Sequence, residues 1–406
     1  MKKVLYISYD GMTDPLGQSQ VLPYLWGLSK KGHKITLLSF EKTNRYAAQS
    51  KHIEAICDDF NIEWTPQSYT STPPVLSSLK DFHTMKKFAV RLHREKAFDV
   101  AHARGYLPAM AGQVLQSKFG VKLLFDMRGF WPDERAEGGI WNRKNPIFNL
   151  VYKYFKNKER SLFKTADAVV SLTQAGKNII QQWPFVKLEP DEVSVIPCCA
   201  DFDHFSPENI DASKKASFRE ALSLKNHFVL SYLGSIGSWY MLSEMLDFFK
   251  VLLEFKPKAK MLFITPNEAE KIKSEAAHKN IDNQQIVCHG VTRHDVPALL
   301  SLSDLSVFFI KPVFSKQASS PTKLAEILGM GIPAIANAGV GDVDLIYKQH
   351  FPDLLVHDFT ESAYRQTLNT YFNGPAINQD QLVKVARQYF SLTDGIEKYH
   401  EIYSEL

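Results

Sequence analysis

The chain has 406 residues, 45% of them hydrophobic and 23% charged, with a formal net charge of +4. That length exceeds one compact core and suits two domains of roughly 150–200 residues each, while the composition excludes a disordered or fibrous chain. A charge of +4 on so large a surface does not mark a nucleic-acid partner, though it tolerates an acidic ligand or an anionic membrane surface.

From the N-terminus, the apolar run at 4–8 follows two lysines as in a secretory leader, but it breaks at Asp10 without a small-residue cleavage site and reads as a first strand. Short apolar runs follow at 35–40, 100–103, 121–125, 168–172 and 193–197, with amphipathic stretches between them. The second half repeats the plan at 228–233, 260–265, 285–288, 305–310, 332–336 and 354–356. Runs apolar on both faces predict strands covered by helices on both sides, hence an α/β chain of two doubly wound parallel-sheet, Rossmann-like domains facing across a cleft. The boundary is expected within 198–207, giving a first domain of 1–203, a second of 204–385 and a C-terminal helix of 386–406. The pattern of that helix fits packing on either domain, including a return to the first. No stretch reaches the ~20 apolar residues of a membrane span. Cys57, Cys198, Cys199 and Cys288 form no C-x-x-C pair, which fits a reducing, cytoplasmic compartment.

Ligands of open parallel sheets bind at the carboxyl ends of strands, so the loops after the strands hold the candidates. After the first, Gly17 lies in a Pro-Leu-Gly turn where the backbone can approach a ligand closely. His102 and Arg104 follow another strand, and Asp126, Arg128, Trp131 and Asp133 follow the next. That density of charge beside aromatics suits a sugar or acceptor site, with carboxylates for hydroxyls and Trp131 or Phe130 for stacking; an internal ion-pair cluster would use the same residues. The basic, aromatic run at 153–164 reads as an amphipathic helix packed on the sheet in preference to a membrane helix. His289 and His294 lack metal-ligand spacing, and Asp58-Asp59 sits inside a helical pattern, so no metal is expected.

The most informative segment runs from Lys311 to Pro333. Ser320 as N-cap and Pro321 at the first helical position predict a helix start. The N–H groups of Thr322 and Lys323 and the positive end of the helix dipole then suit a phosphate, with the charge of Lys323 added. Glu326, one turn on and sharing a face with Thr322, suits the vicinal hydroxyls of a ribose. The same residues would also make an ordinary capped helix with a solvated Lys323–Glu326 pair.

This segment resembles the signature of the family-four retaining glycosyltransferases: a Glu, seven residues, a second Glu on a helix, then a small residue, Gly and a Pro-led strand. Glu326 matches the second Glu and Gly331-Ile332-Pro333 the tail, while the first Glu is replaced by Ala318, leaving the sugar-contacting role to Ser319 or backbone groups. The stretch 195–207 is similar to the end of the family's first domain, and 232–237 to the loop opening the second. Many relatives carry an Arg and a Lys in that loop, which here reads Ser235, Gly237, Ser238 and Trp239. The resemblance spans nearly the whole chain.

The resemblance implies a GT-B fold and metal-independent transfer of a sugar from a nucleotide-diphosphate sugar to an acceptor hydroxyl with retention, without a cofactor. It implies donor contacts at Gly17, Gly234, Ser235, Gly237, Pro266, Val291, Ser319, Ser320, Thr322, Lys323 and Glu326. Catalytic roles fall to Arg128, Asp126, Lys323 and Glu326, with Asp126 as polar contact or base. Trp131, Asp133, His102 and Arg104 are the acceptor candidates. The expected partners are the sugar nucleotide and a glycan or lipid-linked acceptor of bacterial surface polysaccharide assembly, with peripheral contact at the inner membrane face. A GT-B nucleotide-sugar epimerase and a non-catalytic sugar-nucleotide or glycan-binding module are the competing readings.

Overall fold

The computed structural model describes residues 1–72, 76–186, 188–189, 192–266 and 268–406. The chain divides into two units: Met1–Pro197 with Leu392–Leu406, and Cys198–Ser391. The boundary therefore falls six residues before the one expected from sequence. Cys198–Asp203 joins the second unit, because the Ala200 N–H donates to the Phe390 carbonyl and the Phe202 ring packs against Gly329 so closely that a Cβ there would lie 2.6 Å from it.

The first unit carries β1 (Lys3–Ser8), β2 (Lys34–Glu41), β3 (Ile62–Ser68), β4 (Val100–Arg104), β5 (Lys122–Asp126), β6 (Ala168–Ser171) and β7 (Val193–Val195). They form one parallel sheet in the order β3-β2-β1-β4-β5-β6-β7. Strand β3 was not expected from the sequence. Its Pro66 and polar residues suit only an edge, where a missing ladder donor faces outward, and β3 is the edge strand beside β2. The second unit carries β8 (Val229–Leu233), β9 (Lys260–Ile264), β10 (Ile286–His289), β11 (Leu305–Phe308), β12 (Ala334–Asn337) and β13 (Leu355–Val356) in the order β10-β9-β8-β11-β12-β13. In both sheets the central strands are buried on both faces, as in Val229–Leu233, which is why they read as continuous apolar runs.

Both topologies reverse direction at an inner strand. In the first sheet β1 lies between β2 and β4; in the second β8 lies between β9 and β11. Crossovers leave in opposite directions at these points and open a crevice at the strands' carboxyl ends. The segments at those ends are Tyr9–Gly17 and Arg104 in one unit, and Gly234 and Ile310–Pro321 in the other. Asn337 at the end of β12 holds the second crevice in shape: its Oδ1 accepts from the Ile310 N–H at 2.8 Å and its Nδ2 donates to the Ile310 carbonyl at 2.9 Å.

The C-terminal helix Leu392–Glu405 belongs to the first unit, against the helix Leu22–Lys30. Ile396 occupies the space a side chain on Gly27 would need, Tyr399 meets Tyr24 edge-on at 5.6 Å, and Lys31 pairs with Glu397.

Candidate functional site

In the second unit the segment after β11 winds through the short turn Phe314–Ala318 into the helix Thr322–Gly329. The sequence expectation of a Ser320 cap is corrected by one position: Pro321 is the N-cap, and the Ser320 hydroxyl accepts from the Cys198 N–H at 3.1 Å. The helix tip keeps its forward N–H groups, Thr322 is half-buried, and the cap is fixed by proline geometry in place of a hydroxyl.

Lys323 is 7% exposed. Its Nζ donates to the Tyr232 hydroxyl at 2.9 Å and lies 4.1 Å from the Tyr232 ring centre and 3.7 Å from that of Tyr240. Burial drives its pKa well below the ordinary lysine value, with Glu326 opposing that fall. Gly234 turns the chain with φ of +111°, and a Cβ there would sit 3.2 Å from the Lys323 Nζ. The loop after β8 and the tip of the helix thus meet through a buried amine that has no carboxylate hydrogen-bond partner among the described residues. Tyr232 in turn donates to the Ser235 carbonyl at 2.7 Å, shaping a loop in which Ser235 and Gly237 are exposed and Ile236 is buried.

Glu326 is 8% exposed, and its Oε1 accepts from Arg293 Nη1 at 3.2 Å. Burial raises its pKa, and the charges of Arg293 and Lys323 hold the rise in check. Arg293 was not foreseen. Its guanidinium lies over the Phe205 ring at 5.3 Å, and its carbonyl accepts from His204 Nε2 at 3.1 Å. Its position two residues after Val291, in a loop already singled out, was the available signal. Pro266 and Val291 belong to neighbouring strand-end loops in tight contact: a Cβ on Gly290 would lie 2.7 Å from the Pro266 Cα. Ala318, at the place of the signature's first Glu, is buried, and the following Ser319 donates its N–H to the Lys316 carbonyl at 3.2 Å. The Lys316 Nζ lies 3.9 Å over the Trp239 ring. A second cation thus reaches the β8 loop from outside it.

In the first unit, adjacent β4 and β5 pair Arg104 opposite Asp126. The Asp126 carboxylate lies 3.5 Å from His102 Nε2, 3.9 Å from Arg104 Nη1 and 3.8 Å from Arg128 Nη1. These are ion-pair separations, too long for good hydrogen bonds, and both Asp126 oxygens, His102 Nε2 and Arg104 Nη1 are buried without a hydrogen-bond partner. Buried polar atoms are seldom left so. Burial pushes the Asp126 carboxyl upward, but the charges of Arg128 and Arg104, together with the His102 imidazole beside it, overcome that and hold its pKa below the usual range. Asp126 is accordingly ionised and a weak proton acceptor, which suits orienting cations better than the base role expected from sequence. His102 is pushed toward its neutral form by burial.

His102 and Arg104 do not present the surface an acceptor contact needs. His102 is enclosed by Tyr6, Tyr399 and the Tyr403 hydroxyl at 2.6 Å from its Nδ1, and buried Arg104 donates from Nε to Asp10 at 3.2 Å. Solvent is reached by the Arg128 side chain, at 12% exposure, and by Asp10, which the sequence reading had not selected. Arg128 holds a left-handed backbone with φ of +57°, a conformation costing a non-glycine residue about 1–2 kcal/mol and concentrated at functional sites.

Trp131 and Asp133 go elsewhere. The Trp131 ring packs against Trp141 and Phe155 at 5.1 and 4.9 Å, with the Arg135 guanidinium above it. Asp133 accepts from Tyr152 at 2.7 Å and Lys156 at 2.9 Å. Lys156 also pairs with buried Glu159, which accepts from Tyr106. The internal ion-pair cluster is the outcome here. Gly17 lies inside the helix Pro15–Gln20, where a Cβ would meet the Gly11 carbonyl at 2.2 Å; the close approach that requires glycine is to the chain's own backbone.

Two family models match the chain in tandem: Glycosyltransferase Family 4 over residues 21–204 and Glycosyl transferases group 1 over residues 213–389. The chain belongs to the family 4 glycosyltransferases. This glycosyltransferase is 24% identical over 275 residues to the uncharacterized glycosyltransferase YqgM of Bacillus subtilis (strain 168), an alignment covering 66% of each and thus just under two thirds of the relative. Its fold matches Anabaena Alr3699/HepE, solved in complex with UDP-glucose, with a TM-score of 0.71 at 14% identity over the whole of both chains. It also matches WaaG, a glycosyltransferase involved in lipopolysaccharide biosynthesis, with a TM-score of 0.67 at 13% identity over 98% of this chain and 99% of that one. At such identities the likeness is one of fold, and the fold is GT-B. A structure from Listeria monocytogenes, provisionally assigned as a UDP-N-acetylglucosamine 2-epimerase, gives a TM-score of 0.58 at 10% identity over 98% of this chain and 94% of that one. No helix among the described residues is long and apolar enough to cross a membrane.

Proposed function

We propose that this glycosyltransferase moves a sugar from a nucleotide-diphosphate donor to an acceptor hydroxyl with retention, without metal or cofactor, in the assembly of a bacterial surface polysaccharide or glycoconjugate. The carrying observation is the buried amine of Lys323 between Gly234 and the rings of Tyr232 and Tyr240, on the same helix as Glu326, which pairs with Arg293 from the loop after β10. A diphosphate at the tip of Thr322–Gly329 supplies the counter-charge that Lys323 lacks. Glu326 then takes the ribose hydroxyls, with Pro266 and Val291 beside the base, and Ser319, Ser320, Ser235 and Gly237 line the phosphate and sugar.

Negative charge grows on the departing diphosphate, so Lys323 and the helix N–H groups bind the transition state more strongly than the ground state. Arg128, held by Asp126, serves the same charge or the acceptor. No side chain stands out as a nucleophile, and a donor phosphate oxygen takes the acceptor proton in a same-face attack. The acceptor is a glycan or lipid-linked glycan met at the inner membrane face by a cytoplasmic, peripheral enzyme.

The test is a panel of isotope-labelled sugar nucleotides incubated with and without acceptor extract, the anomeric configuration of any product being read by NMR. Acceptor-dependent product with the donor's configuration is expected. Acceptor-free isomerisation, or binding without turnover, would overturn the reading.

A further inference from the structure

Ten large apolar side chains are exposed among the described residues, and four of them, Ile140, Ile147, Leu150 and Tyr154, fall within fifteen consecutive positions. Isolated exposed apolar groups are ordinary, whereas a contiguous set marks an interaction surface. Three lie on the helix Pro146–Thr165 at spacings of three and four, hence on one face. Ile147 and Leu150 are 68% and 69% exposed. The other end of the helix packs in the usual way, with Glu159, Leu162 and Phe163 buried. The sequence expectation of a packed amphipathic helix therefore describes its C-terminal half, and the N-terminal half turns apolar groups outward.

The surroundings are basic. Residues 140–164 include seven Lys or Arg and one acid, Glu159, which is buried. Arg143, Lys144 and Lys153 are exposed beside the apolar stripe, and Tyr154 also edges a groove of about 440 Å³ whose lining includes Lys86 and Lys158. Because the helix leads into β6, parallel to β5, its outward-facing half lies toward the carboxyl edge of the sheet, where Asp126 and Arg128 stand. A helix that buries an apolar face about 5–10 Å into an interface and rings it with cations fits an anionic lipid layer. A second copy of the chain would set like charges against each other.

We propose that the 140–154 face docks the first unit on an anionic phospholipid surface. The inference deepens the acceptor part of the proposed function and rests on that reading for its purpose: a lipid-linked acceptor would be met in the plane where the enzyme sits.

The full-length protein is floated with vesicles of phosphatidylcholine alone or mixed with phosphatidylglycerol. Flotation is expected with the anionic vesicles only and weakens as salt rises, since screening shortens the reach of the cations. Ile147→Ser with Leu150→Ser lowers the bound-to-free ratio about tenfold or more, as does Lys144→Glu with Lys153→Glu. Both pairs are at the surface and leave nucleotide binding, measured by calorimetry without lipid, unchanged. Absence of flotation, flotation of the variants equal to wild type, or a dimer abolished by the serine pair would overturn the proposal. Nucleotide binding without flotation removes the docking surface and leaves the donor reading standing; flotation without nucleotide binding does the reverse.

Discussion

Replacing Lys323 by Met tests the donor site through two opposite effects. In the free enzyme the amine is buried against Tyr232 and Tyr240, and burial depresses its pKa well below that of an ordinary lysine. A thioether of similar length removes that burden, and swaps of buried charge for apolar groups are stabilising by about 1–4 kcal/mol. With Tyr232 losing its partner, a gain of about 1–2 kcal/mol is expected, a rise of roughly 2–8 °C in Tm for a unit near 200 residues. Between its lowered folded pKa and the unfolded value of ~10.4, the wild-type lysine binds fewer protons folded than unfolded. Its cost to stability is therefore greatest below the folded pKa and fades as pH rises toward the unfolded one. Wild type accordingly gains on the Lys323→Met variant as pH climbs through that window. Nucleoside diphosphate binding moves the other way: losing one charge-assisted contact of about 1.5–3 kcal/mol weakens it roughly 10–150-fold. Thermal melts across pH, with calorimetry on UDP, GDP and ADP, measure both. A variant less stable than wild type that keeps full nucleotide affinity would refute the placement of the diphosphate.

Arg293→Met leaves Glu326 buried without its cation. Because Arg293 is a third exposed, the loss is discounted to about 1–3 kcal/mol. The Glu326 carboxyl, already raised by burial, rises further, so the variant is least destabilised at low pH and loses stability as pH passes the folded value; Glu326→Gln in the same background should flatten that profile in urea titrations. Asp126→Asn removes the buried carboxylate facing Arg128 and Arg104, leaving Arg104 only its contact with Asp10, and should cost about 3–5 kcal/mol. Since the Asp126 pKa is held low, its contribution is present above the ordinary carboxylate pKa of about 3.9 and disappears as pH falls through the folded value, so acid melts of wild type should be steeper than those of the variant. Trp131→Ala should lower stability by about 3–5 kcal/mol in chemical unfolding, because the ring fills a cluster with Trp141 and Phe155; a raised acceptor KM with unchanged stability would instead return Trp131 to the acceptor site.

Among the described residues, twelve of the thirteen strands lie at or beside the apolar runs, because a parallel strand buried on both faces admits little else. Strand β3 escaped because an edge position relaxes that demand: Pro66 and the polar residues around it are tolerated where one side of the ladder is open. The helix start near Pro321 was legible for a local reason, the fixed φ of proline, although its cap was off by one since the Ser320 hydroxyl found a partner 122 positions away in Cys198.

Burial periodicity and local backbone preference suffice to locate the two α/β halves, the strand-end loops and the Lys323–Glu326 helix in the amino-acid sequence. Tertiary structure decided which charges face each other. Arg293 meets Glu326, Tyr232 and Tyr240 enclose Lys323, and Asp126 gathers His102, Arg104 and Arg128, while Trp131 and Asp133 are drawn into an internal cluster. Most of these depend on pairs tens of residues apart, which are brought together by strand order and not by spacing along the chain. The energetics of a buried charge are fixed only once its neighbours are.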